Sequence, residues 1–276
     1  SSGAATSFFP PFIAGIDMSE PLLPLLYRNI TALNRERHAD WYIDADQGYS
    51  FASGTNSIYL AASEFAVAAR EYALVFARDG NGVAVPTVLL GIATDQNLLI
   101  GEDGAWKGNY VPAYLRRYPY ILANTDTQPD QYTVCIDETY TGFNTAKEGE
   151  RLLLESGEQS PYLANSVKFL QDFLLATQVT SRFCEALVKA DLLDSTQANI
   201  SLNSGGTYSL SGFFCVTRER LQKLSGEQLK EFMDQGYLDL IYLHMHSLSN
   251  LDKLMQLVDT PADTSKAPAK MPGAKE

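Results

Sequence analysis

Histidine, cysteine and tryptophan are scarce in this chain, with 3, 3 and 2 copies among 276 residues. Each shortage removes chemistry. Cys135, Cys184 and Cys215 lie far apart, without CxxC or other metal-ligand spacing, so no zinc ribbon or disulfide framework is encoded. Set among apolar neighbours, they read as three buried free thiols, and an odd number fits a reducing compartment. Basic side chains are outnumbered 21 to 33, giving a formal charge of −12, and this argues against a nucleic-acid binder. No window approaches the ~18 consecutive apolar residues of a membrane span. The GxSxG elbow, the phosphate loop, GxGxxG and HExxH are all missing, and Gly205-Gly206 lacks the Lys-Ser/Thr that would follow in a phosphate loop.

What remains is an ordinary globular composition, 45% hydrophobic and 11% aromatic, which excludes a disordered chain. Residues 1–17 contain no Lys or Arg and so no secretory n-region. They read as a leader or expression remnant, with Met18 as the native start and the protein cytoplasmic as translated. Residues 260–276 are rich in Pro, Ala and Lys with little to bury, and read as a disordered tail. Residues 18–259 are expected to form a single domain.

The expected class is α+β, a mainly antiparallel sheet packed with several helices and a helix-richer C-terminal half. Ser63 is placed as the cap of a helix bearing Phe65, Ala68, Ala69, Tyr72 and Phe76. Asp79 to Gly82 marks a turn, and Val85 to Ala93 and Asn97 to Ile100 read as strands. Tyr118 to Leu122 and Tyr132 to Ile136 complete an antiparallel meander. Beyond residue 160 the period turns helical, with stripes at Val167, Leu170, Phe173, Leu174 and at Phe183, Cys184, Leu187, Val188. Residues 205 to 216 suggest a further strand or pair. Ser225 and Gln228 form a capping box, Gly236 closes that helix, and Ser249 opens a last one.

Three segments stand out chemically. Between Trp106 and Tyr120 lie Trp106, Tyr110, Tyr114, Arg116, Arg117 and Tyr118, and paired guanidiniums among rings can clamp a carboxylate or phosphate. The same residues can instead hold a core, with arginine stems buried and rings packed. His244 and His246 are two apart, so on a strand they would share a face and hold a metal with a carboxylate. On a helix they would diverge. Asn34 to His38 reads as a solvated charge run, with His38 a base only if the fold brings it a partner.

The block Tyr110-Val111-Pro112-Ala113-Tyr114-Leu115-Arg116-Arg117-Tyr118-Pro119 carries a family likeness. So do Leu33 to His38, Gly104-Ala105-Trp106, Cys135-Ile136-Asp137 and His244-Met245-His246-Ser247-Leu248, in that order along the chain. Over roughly residues 22 to 257 the sequence resembles the bacterial SapC-like proteins, named after a surface-layer-associated protein. The resemblance implies an accessory or binding protein of the surface-layer or outer-envelope system. Its partner would be a peptide, a protein or a small acidic ligand, with no nucleic acid and no membrane span. It brings no catalytic residues. The alternative left open is a metal-dependent oxygenase or other enzyme modifying a peptide or small metabolite. There a divalent metal would be the cofactor, with His244 and His246 as ligands.

Overall fold

The computed structural model describes residues 23–79, 82–124, 131–202 and 206–259. The termini, where a leader and a tail are expected, lie outside them. Along the chain, β1 (Ile30–Ala32) and β2 (Tyr42–Ile43) precede a 3-10 turn at Ser50–Ala52 and β3 (Ser57–Tyr59). A second 3-10 turn, Ala62–Glu64, runs into the single-turn helix α1 (Phe65–Ala68), followed by β4 (Leu74–Arg78) and β5 (Ala84–Leu89). After the one-turn helix α2 (Ala113–Arg116) come β6 (Tyr120–Asn124), β7 (Tyr132–Asp137), β8 (Phe143–Asn144) and β9 (Glu150–Arg151). The long helix α3 (Pro161–Lys189) leads to a ribbon of β10 (Leu193–Leu202) and β11 (Gly206–Val216). The chain then continues through α4 (Arg218–Leu221), α5 (Gly226–Asp234), α6 (Tyr237–Ser247) and α7 (Leu251–Asp259).

Three antiparallel sheets result, with orders β10-β11-β4-β5-β3, β1-β7-β6 and β8-β2-β9. The α+β class expected from the sequence is therefore correct, but its single meander is not. Hairpin β4–β5 belongs to one sheet and hairpin β6–β7 to another, and residues 97–100 form no strand, only a bridge from Ile100 to Trp106. The largest core lies between the five-stranded sheet and helices α1, α3 and α6, where Phe65, Phe76, Phe183 and Phe213 are fully buried. A second core gathers Ile43, Tyr120, Ile136, Leu163 and Leu170 under the first turns of α3.

Local signals explain most of the helix ends. Ser160 caps α3, accepting from Leu163 N–H at 3.2 Å with Pro161 in the first turn, where its missing N–H costs nothing. Both apolar stripes lie on this one unbroken helix. Ser225 and Gln228 exchange hydrogen bonds at 3.2 and 2.9 Å, as a capping box should, and Gly236 adopts φ 71° between α5 and α6. The helix expected from Ser63 is shorter than its pattern. Glu64, not Ser63, closes its start by accepting from Ala61 N–H at 2.9 Å, and Phe76 belongs to β4. Asp79 organises its turn as expected, accepting from Val83 N–H at 2.8 Å through its side chain. Gly80 and Asn81 lie outside the described residues.

Candidate functional site

The aromatic block around residue 110 divides into residues that brace the fold and residues that face a cleft. Trp106 belongs to the first group. Its Nε1–H is shared between the Tyr72 hydroxyl and the Tyr110 carbonyl, each at 3.0 Å, while the Tyr72 hydroxyl also donates to the Tyr110 carbonyl. Tyr110 donates through its hydroxyl to Glu64 Oε1 at 2.7 Å, and the same oxygen accepts from Ala113 N–H at 2.7 Å. Glu64 is thus a buried carboxylate held by two backbone amides and a phenol, and it fixes the start of α2. Burial first, then the hydrogen bond to Glu64, pushes the Tyr110 phenol up to about 12, so it stays a donor. Tyr114 is buried and donates to the Leu25 carbonyl at 3.2 Å.

Pro112 sets the entry to α2, and that single turn sends the two arginines apart. Arg117 is buried among the rings of Tyr114, Phe173 and Tyr27, with its Cζ 4.0, 5.1 and 5.6 Å from their centres. Arg116 is exposed. Its Nε–H donates to the Val111 carbonyl at 3.0 Å and Nη2 to the Tyr110 hydroxyl at 3.3 Å, and its Cζ lies 5.0 Å from the Phe169 ring centre. Among the described residues it forms no ion pair.

Arg116, Arg117 and Tyr118 line a cleft of about 410 Å³. The same run continues through Pro119-Tyr120, and the other walls come from three separate stretches: Ile43 to Phe51, Tyr140, and the α3 face carrying Tyr162, Asn165, Ser166 and Phe169. Phe51 stacks on Tyr118 with centres 4.3 Å apart at 26°, and Tyr140 meets Tyr118 edge-on at 5.5 Å. Gly48 makes the turn beneath this wall possible. Its φ is 64°, and a Cβ there would stand 2.7 Å from the Gly104 carbonyl oxygen, which accepts from Tyr49 N–H. The phenols stay protonated near neutral pH. Burial, then the charge of Asp137, raises Tyr118 to about 12, and burial raises Tyr140 to about 12. The buried Tyr120 hydroxyl makes no hydrogen bond of normal geometry, although the Tyr162 phenol is close enough to help burial raise its pKa.

Trp106, Tyr110 and Tyr114 were expected at a contact surface and instead brace it, because their polar tips are already committed to backbone or to Glu64. Tyr49, Phe51, Tyr140 and Tyr162 are the wall residues that sequence reading missed. Only Tyr162 left a signal: with Ser166 and Phe169 it forms an i, i+4, i+7 stripe on α3, distinct from the core stripe.

The histidine pair is resolved by α6. Residues 237–247 are helical, so the rings of His244 and His246 point about 200° apart and cannot share a metal. His246 is exposed and His244 fully buried. His244 Nδ1–H donates to the Leu74 carbonyl at 2.9 Å, and Nε2 accepts from Val216 N–H at 3.0 Å. Phe214 pairs with Phe76 between β11 and β4, and that register would set Val216 opposite Leu74. The imidazole therefore stands where the next rung of the ladder would be. One turn on, the Ser247 hydroxyl accepts from Leu74 N–H at 3.0 Å and donates to the His244 carbonyl at 2.6 Å. Among the described residues no cluster of three or more His, Cys, Asp or Glu side chains could hold a metal.

His38 also departs from the expected solvated run. Arg35, Glu36 and Arg37 are exposed, but His38 is fully buried, edge-on to Trp41 with ring centres 4.7 Å apart. Its Nδ1 accepts from Asn34 N–H at 2.9 Å, so Nε2 carries the hydrogen that meets Glu138 Oε1 at 2.9 Å. The charge run is a clasp between two segments a hundred residues apart.

Fold and site together define an α+β protein with an aromatic, arginine-edged cleft and no metal-binding cluster among the described residues. The SapC family model matches residues 33–254, and the chain belongs to that family. Neither the curated proteins nor the solved structures give a match. No helix among the described residues is long and apolar enough to cross a membrane.

Proposed function

We propose that this protein is a binding or accessory protein whose cleft takes a small acidic ligand, or the acidic end of a peptide, with a flat apolar part. The observation that carries this reading is Arg116. It is exposed, oriented by the Val111 carbonyl and the Tyr110 hydroxyl, and unpaired with any carboxylate among the described residues. Beside it lies a ring-lined cleft whose volume falls within the range of ordinary small-molecule sites. An anion on its outward N–H groups gains a charge-assisted hydrogen bond, and the rings of Phe169, Phe51 and Tyr118 bury the apolar remainder. Arg117 lines the same cleft and adds a second positive charge to its wall.

A role in the surface-layer or outer-envelope system is consistent with family membership. The test starts with the cleft. Calorimetric titration with 4-hydroxyphenylacetate, against its uncharged amide, should show binding of the acid that weakens about tenfold in Arg116→Gln, the worth of one charge-assisted hydrogen bond. Equal binding of acid and amide, or an unaffected variant, would reject this reading.

A further inference from the structure

The rings that wall the main cleft also wall a second one. Phe51, Tyr118 and Tyr140 line the 410 Å³ cleft and a neighbouring cleft of about 190 Å³, completed by Leu26, Arg28, Gln47, Ser50, Thr139 and Thr141. Each cleft thus has one exposed arginine that the other lacks: Arg116 in the larger, Arg28 in the smaller. Arg28 is placed from its backbone. Its N–H donates to Asp137 Oδ2 at 2.7 Å, within a buried carboxylate that also accepts from Asn29 N–H at 3.2 Å and from Thr139 N–H at 3.0 Å. Its guanidinium forms no ion pair among the described residues, and its charge acts on the Tyr118 phenol.

From the two clefts sharing one ring stack, with an exposed arginine lining each, we infer that they are halves of one elongated site. Its ligand is a short acidic peptide segment with a central aromatic side chain. One carboxylate lies at Arg116 and a second at Arg28, with the aromatic ring against Phe51 and Tyr118. Side-chain amides and hydroxyls line both halves, Asn165 and Ser166 in one, Gln47, Ser50 and Thr139 in the other. Ser166, Gln47 and Thr139 already donate to the Tyr162 carbonyl, Asp44 and Asp137, and their oxygens keep lone pairs that can accept from main-chain N–H groups. Two anionic contacts on one ligand are worth more than either alone, because the second forms within a complex already made.

This inference rests on the larger cleft binding acids, and the experiment separates the two. Calorimetry compares four N-acetylated, C-amidated tripeptides with central phenylalanine: glutamate on both sides, glutamate on one side only (each of the two), and glutamine on both. On the wild type the doubly acidic peptide should bind about tenfold or more tighter than the better singly acidic one. In Arg28→Gln that advantage should vanish while the better singly acidic peptide keeps its affinity. In Arg116→Gln both should weaken. Both arginines are exposed, so circular dichroism should confirm that the variants stay folded. Equal affinity of the doubly and singly acidic peptides, or an advantage that survives Arg28→Gln, overturns the two-cleft site. If no peptide binds while 4-hydroxyphenylacetate binds in an Arg116-dependent way, the inference falls and the simpler reading stands. If neither binds, both fall.

Discussion

The imidazole that takes the place of a ladder rung makes stability depend on pH in a way that can be worked out. Burial holds the pKa of His244 down to about 4, against an ordinary 6.5, and the hydrogen bond to the Leu74 carbonyl only partly opposes this. Between those two values the unfolded chain binds a proton that the folded one refuses. The contribution of the neutral ring is therefore complete above the unfolded pKa and is lost as pH falls toward the folded one. The slope approaches one proton, about 1.4 kcal/mol per pH unit, and the interval amounts to roughly 3 kcal/mol. Carboxylates titrate in the lower part of the same window, so the measurement is a difference between urea unfolding of the wild type and of His244→Gln. At about pH 7.5 the variant should be less stable by about 2–4 kcal/mol, because one amide cannot span both Val216 N–H and Leu74 C=O and leaves a buried group unpaired. On acidification to about pH 4.5 the gap should shrink by roughly 2–3 kcal/mol, since only the wild type has this contribution to lose. Parallel stability curves, or a gap that widens in acid, would refute the assignment of the neutral bridging ring.

Other perturbations test the bracing around the cleft. Arg117→Ala should cost between about 2 and about 5 kcal/mol in urea unfolding, because it empties the space between Tyr27, Tyr114 and Phe173. An unchanged midpoint would show that these contacts are dispensable. Glu64→Gln turns one acceptor oxygen into a donor facing donors and should lose about 1–3 kcal/mol. A variant of wild-type stability would mean that the site relaxes freely. Burial raises the thiols of Cys135, Cys184 and Cys215 to about 11, 12 and 11, so a thiol reagent at neutral pH should find none reactive in the native protein and all three once it is unfolded. Prompt labelling of the folded chain would contradict their burial.

What could be read in the sequence follows the range over which each interaction acts. The Ser225–Gln228 box, the left-handed Gly236 and the stripes of α3 were legible because their partners lie within a turn or two. Strand β10 was missed because Asp194, Thr196 and Gln197 break its apolar pattern, and it is held mainly by its hairpin partner. Helix α2 was missed because one turn fixed by Pro112 leaves no period to detect. Residues 97–100 have strand composition, but their partner is a single bridge at Trp106, not a neighbouring strand. The histidines show the same limit from the other side. His38 finds Glu138 a hundred residues away, and His244 finds Leu74 across 170, so neither role has a spacing. For the cleft, ring density drew attention to Arg116, Arg117 and Tyr118, which line it. The other walls come from segments that only the fold assembles.

The ribbon of β10 and β11 has a consequence for how molecules of this protein meet one another. Beyond the Phe214–Phe76 pair no third strand joins it among the described residues, and β10 forms the outer rim of the five-stranded sheet. A rim of unpaired amides invites a second copy to add its own strand. Here Asp194 and Gln197 stand on that rim, the register slips between Thr196 and Ala198, and Gly212 on the partner strand turns left-handed with φ 86°. A slipped, twisted border offers no straight run for another chain to match. The break in register thus works against a second copy pairing along this edge.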